Sequence, residues 1–190
     1  MKLIVGISGA SGAPYAARLL QYLAEHRERL DVEAHVIFTK NGRLCWSHEV
    51  GVDPESLGWP IYRPTEMTAP FASGSSLFDA MVVLPCSAGQ VGRIAHGISS
   101  DLIGRAADVM LKERRPLVLL LRESPYSLVH CRNMVAVTEA GAIIQPASPG
   151  FYSKPSDLNQ LIDVVVCKTL DLLGIDNSLM TRWTGEELRG

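Results

Sequence analysis

An α/β fold built on a mostly parallel, doubly wound sheet is predicted by three observations. Short apolar runs alternate with segments of helical period. Most of the runs are nearly continuous in Val, Ile and Leu, which suits strands covered on both faces. The first run breaks into GISGASGAP and then resumes as an amphipathic pattern, the layout of a strand, a turn and a helix.

The elements follow in order. Residues 3–7 read as the first strand, and residues 13–26 as a helix with Tyr15, Leu19, Leu20 and Leu23 on one side. Residues 34–39 are the second strand. Residues 51–76 are rich in Pro, Gly and Ser and show no period, so they form a long surface loop or a helix–loop insert, and a segment of that kind is often functional. Residues 81–84 are the third strand. Residues 101–115 repeat Leu102, Ile103, Ala106, Val109 and Met110 at helical spacing, with Asp101 placed to cap them. Residues 117–121 and 142–145 complete the strands. The last helix, about residues 156–173, is stopped by Gly174. Its apolar residues cover more than one face, from Leu158 and Leu161 through Val164, Val165 and Val166 to Leu173. Such a helix is either packed deep in its own chain or covered by a second subunit.

Composition bounds the function. The chain has 190 residues, 47% of them apolar and 20% charged, with a formal charge of -2. These values fit one soluble domain over residues 1–190 and give no reason to expect nucleic acid or an anionic membrane as partner. No stretch approaches the roughly twenty apolar residues of a membrane span, and the start lacks the pattern of a signal peptide. Cys45, Cys86, Cys131 and Cys167 are scattered without C-x-x-C, as reduced thiols in a cytoplasm are. The five histidines show no metal-ligand spacing, so no metal site is expected.

In a doubly wound sheet, ligands bind beyond the carboxyl ends of the strands. Here those ends deliver residues 8–12, Thr39 with Lys40, Cys86 with Ser87, Arg122 with Glu123, and the stretch from Pro146. Glycines let a backbone pass close to a ligand. The helix start that follows offers free N–H groups and a positive dipole end, which suit a phosphate, and Ser8 and Ser11 add hydroxyls. The spacing is G-x-x-G-x-x-G with no G-K-[ST], so neither the dinucleotide fingerprint nor a Walker A loop is met. A tight turn without a ligand fits the same residues. Arg105 and Lys112 lie two turns apart on nearly one helix face, where they can bind an anion or form a solvated helix end, with Asp108 pairing Lys112. Arg122 can clamp a phosphate bidentately or pair locally with Glu123. Residues 73–76 and 86–89 are Ser- and Gly-rich turns that could line a polar ring or be ordinary turns.

Taken in order, GISGASGAPY, ASGSS, PCS, RAADVMLKERRPLVLLLRESP and GFY resemble the UbiX family of flavin prenyltransferases over about residues 1–183. The RAADVMLKERRPLVLLLRE block is the long and specific part. The resemblance implies a flavodoxin-like, Rossmann-type fold and a homo-oligomer, typically a dodecamer, with FMN at subunit interfaces. It implies transfer of a dimethylallyl group from dimethylallyl monophosphate to N5 and C6 of reduced FMN. The product serves UbiD-type decarboxylases, for instance in ubiquinone synthesis. Residue by residue, it implies that Gly9, Ala10, Ser11, Thr39, Ser87 and Arg122 contact FMN. Glu49 matches an acid/base. Arg105, Lys112, Glu123 and Tyr152 match phosphate-binding and active-site positions, and Ser73 falls in a loop over the flavin. Met67 stands where relatives often carry Trp, and Lys168 where many carry Arg; Lys keeps the charge and loses the fork.

The chain has no Asp-rich cluster, so a leaving phosphate would be held by Lys112, Arg122, Lys168 and the glycine-loop amides without metal. Closure at C6 releases a proton that Glu49 or the departing phosphate could take. Two alternatives remain at this point. An FMN-dependent cysteine-conjugate decarboxylase would need an active-site His in the helix after the first glycine loop and a P-x-M-N-x-x-M motif; here that helix has Tyr15 and Arg18 in its first turns, and no P-x-M-N occurs. A non-catalytic FMN carrier is the other.

Overall fold

The computed structural model describes residues 1–180 and Arg182. Among these, six parallel strands form one sheet: β1 (Lys2–Ile7), β2 (Glu33–Phe38), β3 (Ile61–Tyr62), β4 (Ala80–Cys86), β5 (Leu117–Leu121) and β6 (Ile143–Pro146). Their order across the sheet is β3-β2-β1-β4-β5-β6. Successive strands step outward from β1 on one side and from β4 on the other, so the order reverses between these two. That reversal opens a crevice at their carboxyl ends.

Alternation along β1 explains why the sheet is covered on both faces. Leu3, Val5 and Ile7 enter one apolar layer, and Ile4 enters the other. Gly6 shares the face of Ile4, and Ile103 occupies the space beside it, 3.3 Å from where a Cβ would stand. The first layer is closed by α1 (Ala13–Glu25), by Trp46 of α3 (Lys40–Glu49) and by α7 (Leu158–Leu172). One helical turn, α2 (Arg27–Leu30), leads from α1 to β2. The second layer is closed by α4 (Ala88–Ala95), α5 (Leu102–Lys112) and α6 (Leu128–Glu139). Asp101 caps α5, accepting from the Gly104 amide at 2.7 Å, as its position predicts. Asp157 caps α7 in the same way, at 3.0 Å from the Gln160 amide. Caps of this kind contribute about 1 kcal/mol each.

The apolar runs predict five strands, and the structure adds β3 inside residues 51–76. Two residues carry no period, so no pattern could show it. Of the two expectations for this segment, the helix–loop insert holds: short 3-10 turns at Pro54–Leu57 and Pro70–Ala72 flank β3, and the segment is packed rather than laid on the surface. Trp59 and Phe71 are buried, and the Trp59 indole donates to the Leu20 carbonyl at 3.1 Å under a stacked Arg27. The periodicity also passes over α3, α4 and α6. In α3 only Gly42 and Trp46 are buried, too few to make an apolar stripe. The wide apolar arc of α7 is largely used within the chain, since Ile162, Val165, Val166 and Leu170 all join the first layer. Leu158 is left exposed. Subunit contacts are expected of this helix, about residues 156–173, and of the tail after it; residues 181 and 183–190 of that tail lie outside the described residues.

Candidate active site

The crevice is held shut at its base by Ser8. Its hydroxyl donates to the Pro85 carbonyl at 2.9 Å and accepts from the Ser87 amide at 2.9 Å, which pins the end of β1 to the end of β4. Ser8 is buried, so it is a structural staple and not the ligand-facing donor that its place in the loop suggests. The Cys86 thiol beside it is also fully buried, and burial pushes its pKa far up, so it is no nucleophile. Thr39 and Ser87 end their strands as caps of α3 and α4, accepting from the amides of Gly42 at 2.9 Å and Gln90 at 3.2 Å. The first turns of both helices therefore open on the crevice, with N–H groups that have no partner inside the helix.

The start of α1 is different. Its Gly12 and Ala13 amides both donate to Oε2 of Glu49, at 2.8 Å each. Gly12 sits at φ 120°, where a side chain would be strained. Glu49 is the last residue of α3, brought here because α3 lies hard against the end of β1. A Cβ on Gly42 would stand 2.2 Å from the Ile7 carbonyl oxygen, and one on Gly9 would meet Asn41. At both positions the missing side chain lets α3 pack close against the loop. Burial alone would raise the Glu49 pKa. The Gly12 amide, the Ser11 hydroxyl, the Ala13 amide and the nearby Arg122 outweigh it and hold the carboxyl below the usual range. Gly42→Ala is expected to push α3 outward and destabilise the fold by about 1–3 kcal/mol, read as a lower urea midpoint.

Arg122 follows β5, and its Nε donates to the Ser11 carbonyl at 3.0 Å. Glu123 accepts from the Ser124 amide at 3.1 Å, and among the described residues it forms no ion pair with Arg122. Gly9, Ala10, Ser11, Thr39, Glu49, Ser87, Arg122 and Glu123 thus share the carboxyl edge of the sheet. The other six expected site residues lie apart from this cluster. Arg105 donates to the Ala72 carbonyl at 2.9 Å and pairs with Asp108, which corrects the expected Asp108–Lys112 pair; Lys112 is engaged by Glu113. Lys112 sits beside Gly74, and the Ser73 hydroxyl bonds that of Ser75 at 2.9 Å. This corner adjoins the amino ends of β4 and β5, a strand length from Ser11, roughly 17–20 Å. Met67, on the loop between, is half-exposed. Tyr152 and Lys168 line a groove of about 600 Å³ between β6 and α7, together with Asp171.

Gln90 and Arg93 escape the sequence reading. Gln90, in the first turn of α4, is fully buried; its carbonyl accepts from Arg93, and its amide Nε2 has no partner among the described residues. The only signal was a polar residue at an inward position of an amphipathic helix.

A profile of the family described as Flavoprotein matches residues 1–169. The flavin prenyltransferase UbiX of Thermoplasma acidophilum is 42% identical over 186 residues, 96% of this chain and 100% of the relative. The chain belongs to the UbiX family of flavin prenyltransferases. Among solved structures, AnUbiX (PadA1), described in complex with FMN and dimethylallyl pyrophosphate, is 41% identical, with a TM-score of 0.91 over 97% of each chain. A dodecameric FMN-dependent UbiX-like decarboxylase from Escherichia coli O157:H7 is 38% identical, with a TM-score of 0.92 over 97% of this chain and 100% of the relative. The cysteine decarboxylase SpaF, at 18% identity and a TM-score of 0.61 over 89% of this chain and 97% of that one, shares the fold alone.

Proposed function

We propose that this UbiX-family protein transfers a dimethylallyl group from dimethylallyl monophosphate to reduced FMN. The observation that carries this reading is the meeting, in the β1–β4 crevice, of an ionised Glu49, Arg122 and the hydroxyl-capped starts of α3 and α4. The donor set fits FMN. The flavin carries ring carbonyls and a phosphate, and the crevice offers the helix-start amides of α3 and α4 with the Thr39 and Ser87 hydroxyls. Thr39 and Ser87, with Gly9, Ala10 and Ser11, would hold it there. Bound reduced FMN supplies the electron-rich N5 and C6 atoms that accept the group.

Arg122 takes the phosphate oxygens of the donor in two parallel hydrogen bonds, fixed in place by its Nε bond to Ser11. Lys168 and Tyr152 approach from the β6–α7 groove, and Met67 covers the apolar prenyl group. We assign Ser73, Arg105 and Lys112 to the site of a neighbouring copy, because in their own chain they flank or face the opposite edge. Exposed Leu128, Val129 and Val135 on α6, with Leu77, support self-association, and we take the assembly to be a dodecamer. Positive charge from two chains then stabilises the leaving phosphate. The product would pass to a UbiD-type decarboxylase, as in ubiquinone synthesis, and the free thiols suit a cytoplasmic site of action.

The test supplies FMN and dimethylallyl monophosphate, reduces anaerobically and weighs the extracted flavin. A gain of one isoprenyl unit is expected, and the diphosphate run in parallel compares the two donors. Unmodified FMN in every arm would point to a carrier.

A further inference from the structure

We infer that the glycine-rich start of α1 is a seat for a carboxylate and not for phosphate, with the Gly12 and Ala13 amides as positioning groups that hold Glu49 ready to take the C6 proton. This rests on the prenyl-transfer reading for the identity of the proton, and on geometry for the seat. The donors at this helix start are all accounted for. Gly12 and Ala13 each donate to Glu49 Oε2 at 2.8 Å, Pro14 has no N–H, and the Tyr15 amide donates to the Gly12 carbonyl at 3.0 Å. Neither of the two helix-start amides remains for a phosphate. The backbone turn resembles a phosphate cradle, yet the protein fills it with its own side chain. Both amides land on one oxygen, so Oε1 is not engaged by the α1 backbone.

The surroundings keep Glu49 in the form a base needs. From outside α3, the facing groups are those two amides, the neutral Ser11 hydroxyl and one charge, Arg122. On α3 itself, Cys45 lies a turn earlier and His48 is next in sequence. Hydrogen bonds to the charged form and a nearby cation both lower a carboxyl pKa. Glu49 therefore enters the step as a carboxylate. It takes the proton released from C6 as the C6–H bond returns its electron pair to the ring, and then gives that proton to water. The leaving phosphate, held on Arg122 and on the lysines, need not act as base.

The test needs no bound flavin. Infrared difference spectra of the ligand-free protein, wild type against Glu49→Gln, follow the Glu49 carboxylate through an acid titration. Its midpoint should lie below the ordinary value of about 4.3. Ala13→Pro removes one of the two donors at a first helical position that accepts proline. It should raise the midpoint by about one pH unit, a tenfold change in acid strength, whereas Ala13→Gly, which keeps the amide, should not. In the FMN-loaded enzyme the acid limb of kcat should move by the same amount, with KM for dimethylallyl monophosphate unchanged. An unmoved midpoint in Ala13→Pro, or a raised KM with an unmoved acid limb, overturns the proposal. If Ala13→Pro does not fold, wild-type crystals soaked in inorganic phosphate decide: phosphate on the Gly12 and Ala13 amides with Glu49 displaced overturns it, and Glu49 retained there supports it. A shifted midpoint in a protein that forms no prenylated flavin would uphold the seat and refute prenyl transfer.

Discussion

Glu49→Gln is expected to keep FMN bound and to end formation of the heavier flavin, with the rate falling about 10²–10⁴-fold, the usual scale for losing a general base. The substitution is a clean one at this position. The Gln carbonyl oxygen can still accept from the Gly12 and Ala13 amides that now hold Glu49 at 2.8 Å, so the start of α1 stays capped. What disappears is the negative charge and the ability to take a proton. Glu49→Ala should behave differently, losing the cap as well and about 1 kcal/mol of stability. Mass measurement of the extracted flavin after anaerobic reduction reads the first effect, and urea unfolding the second. A Glu49→Gln enzyme working at the wild-type rate would hand the proton to the departing phosphate.

Mixing two inactive variants is expected to restore activity. Lys112→Ala and Glu49→Gln should each abolish turnover as homo-oligomers. Within one chain, Lys112 stands beside Gly74 near the amino ends of β4 and β5, while Glu49 stands on the glycine turn beyond the carboxyl end of β1. If each site takes Glu49 from one copy and Lys112 from another, random co-assembly leaves about a quarter of the sites with both native residues. Activity of co-expressed mixed oligomers should therefore approach that fraction of wild type. No recovery would place Lys112 outside the site and leave Arg122 and Lys168 to hold the phosphate alone.

Much of the fold was legible because burial writes itself into residue order. Leu117–Leu121 is apolar throughout and is buried on both faces of the sheet; α5 shows its stripe and its Asp101 cap. Elements that bury little were silent. β3 has two residues, and α3 buries only Gly42 and Trp46. The helix that carries Glu49 was therefore invisible to periodicity, and only the likeness to a known family brought Glu49 into view. The site was half legible. Strand ends named Ser11, Ser87 and Arg122 correctly as carboxyl-edge residues, since topology fixes where a strand ends. Side-chain roles were not legible in the same way. Ser8 reads as a ligand donor and is a buried staple. The packing role of Gly9, whose missing side chain leaves room for Asn41, was equally hidden.

Residue order alone carried the layered α/β architecture, the edge at which chemistry gathers and the family, because each depends on local periodicity or on contiguous motifs. The occupant of the first helix start needed three dimensions. A hydrogen bond between Glu49 and Gly12 joins residues 37 positions apart, and no local pattern records such a meeting. The same holds for the distance between Lys112 and Ser11. Helices on a parallel sheet run back against their strands, so Lys112, at the end of α5, is carried away from the carboxyl edge, and in the proposed assembly a second chain returns it.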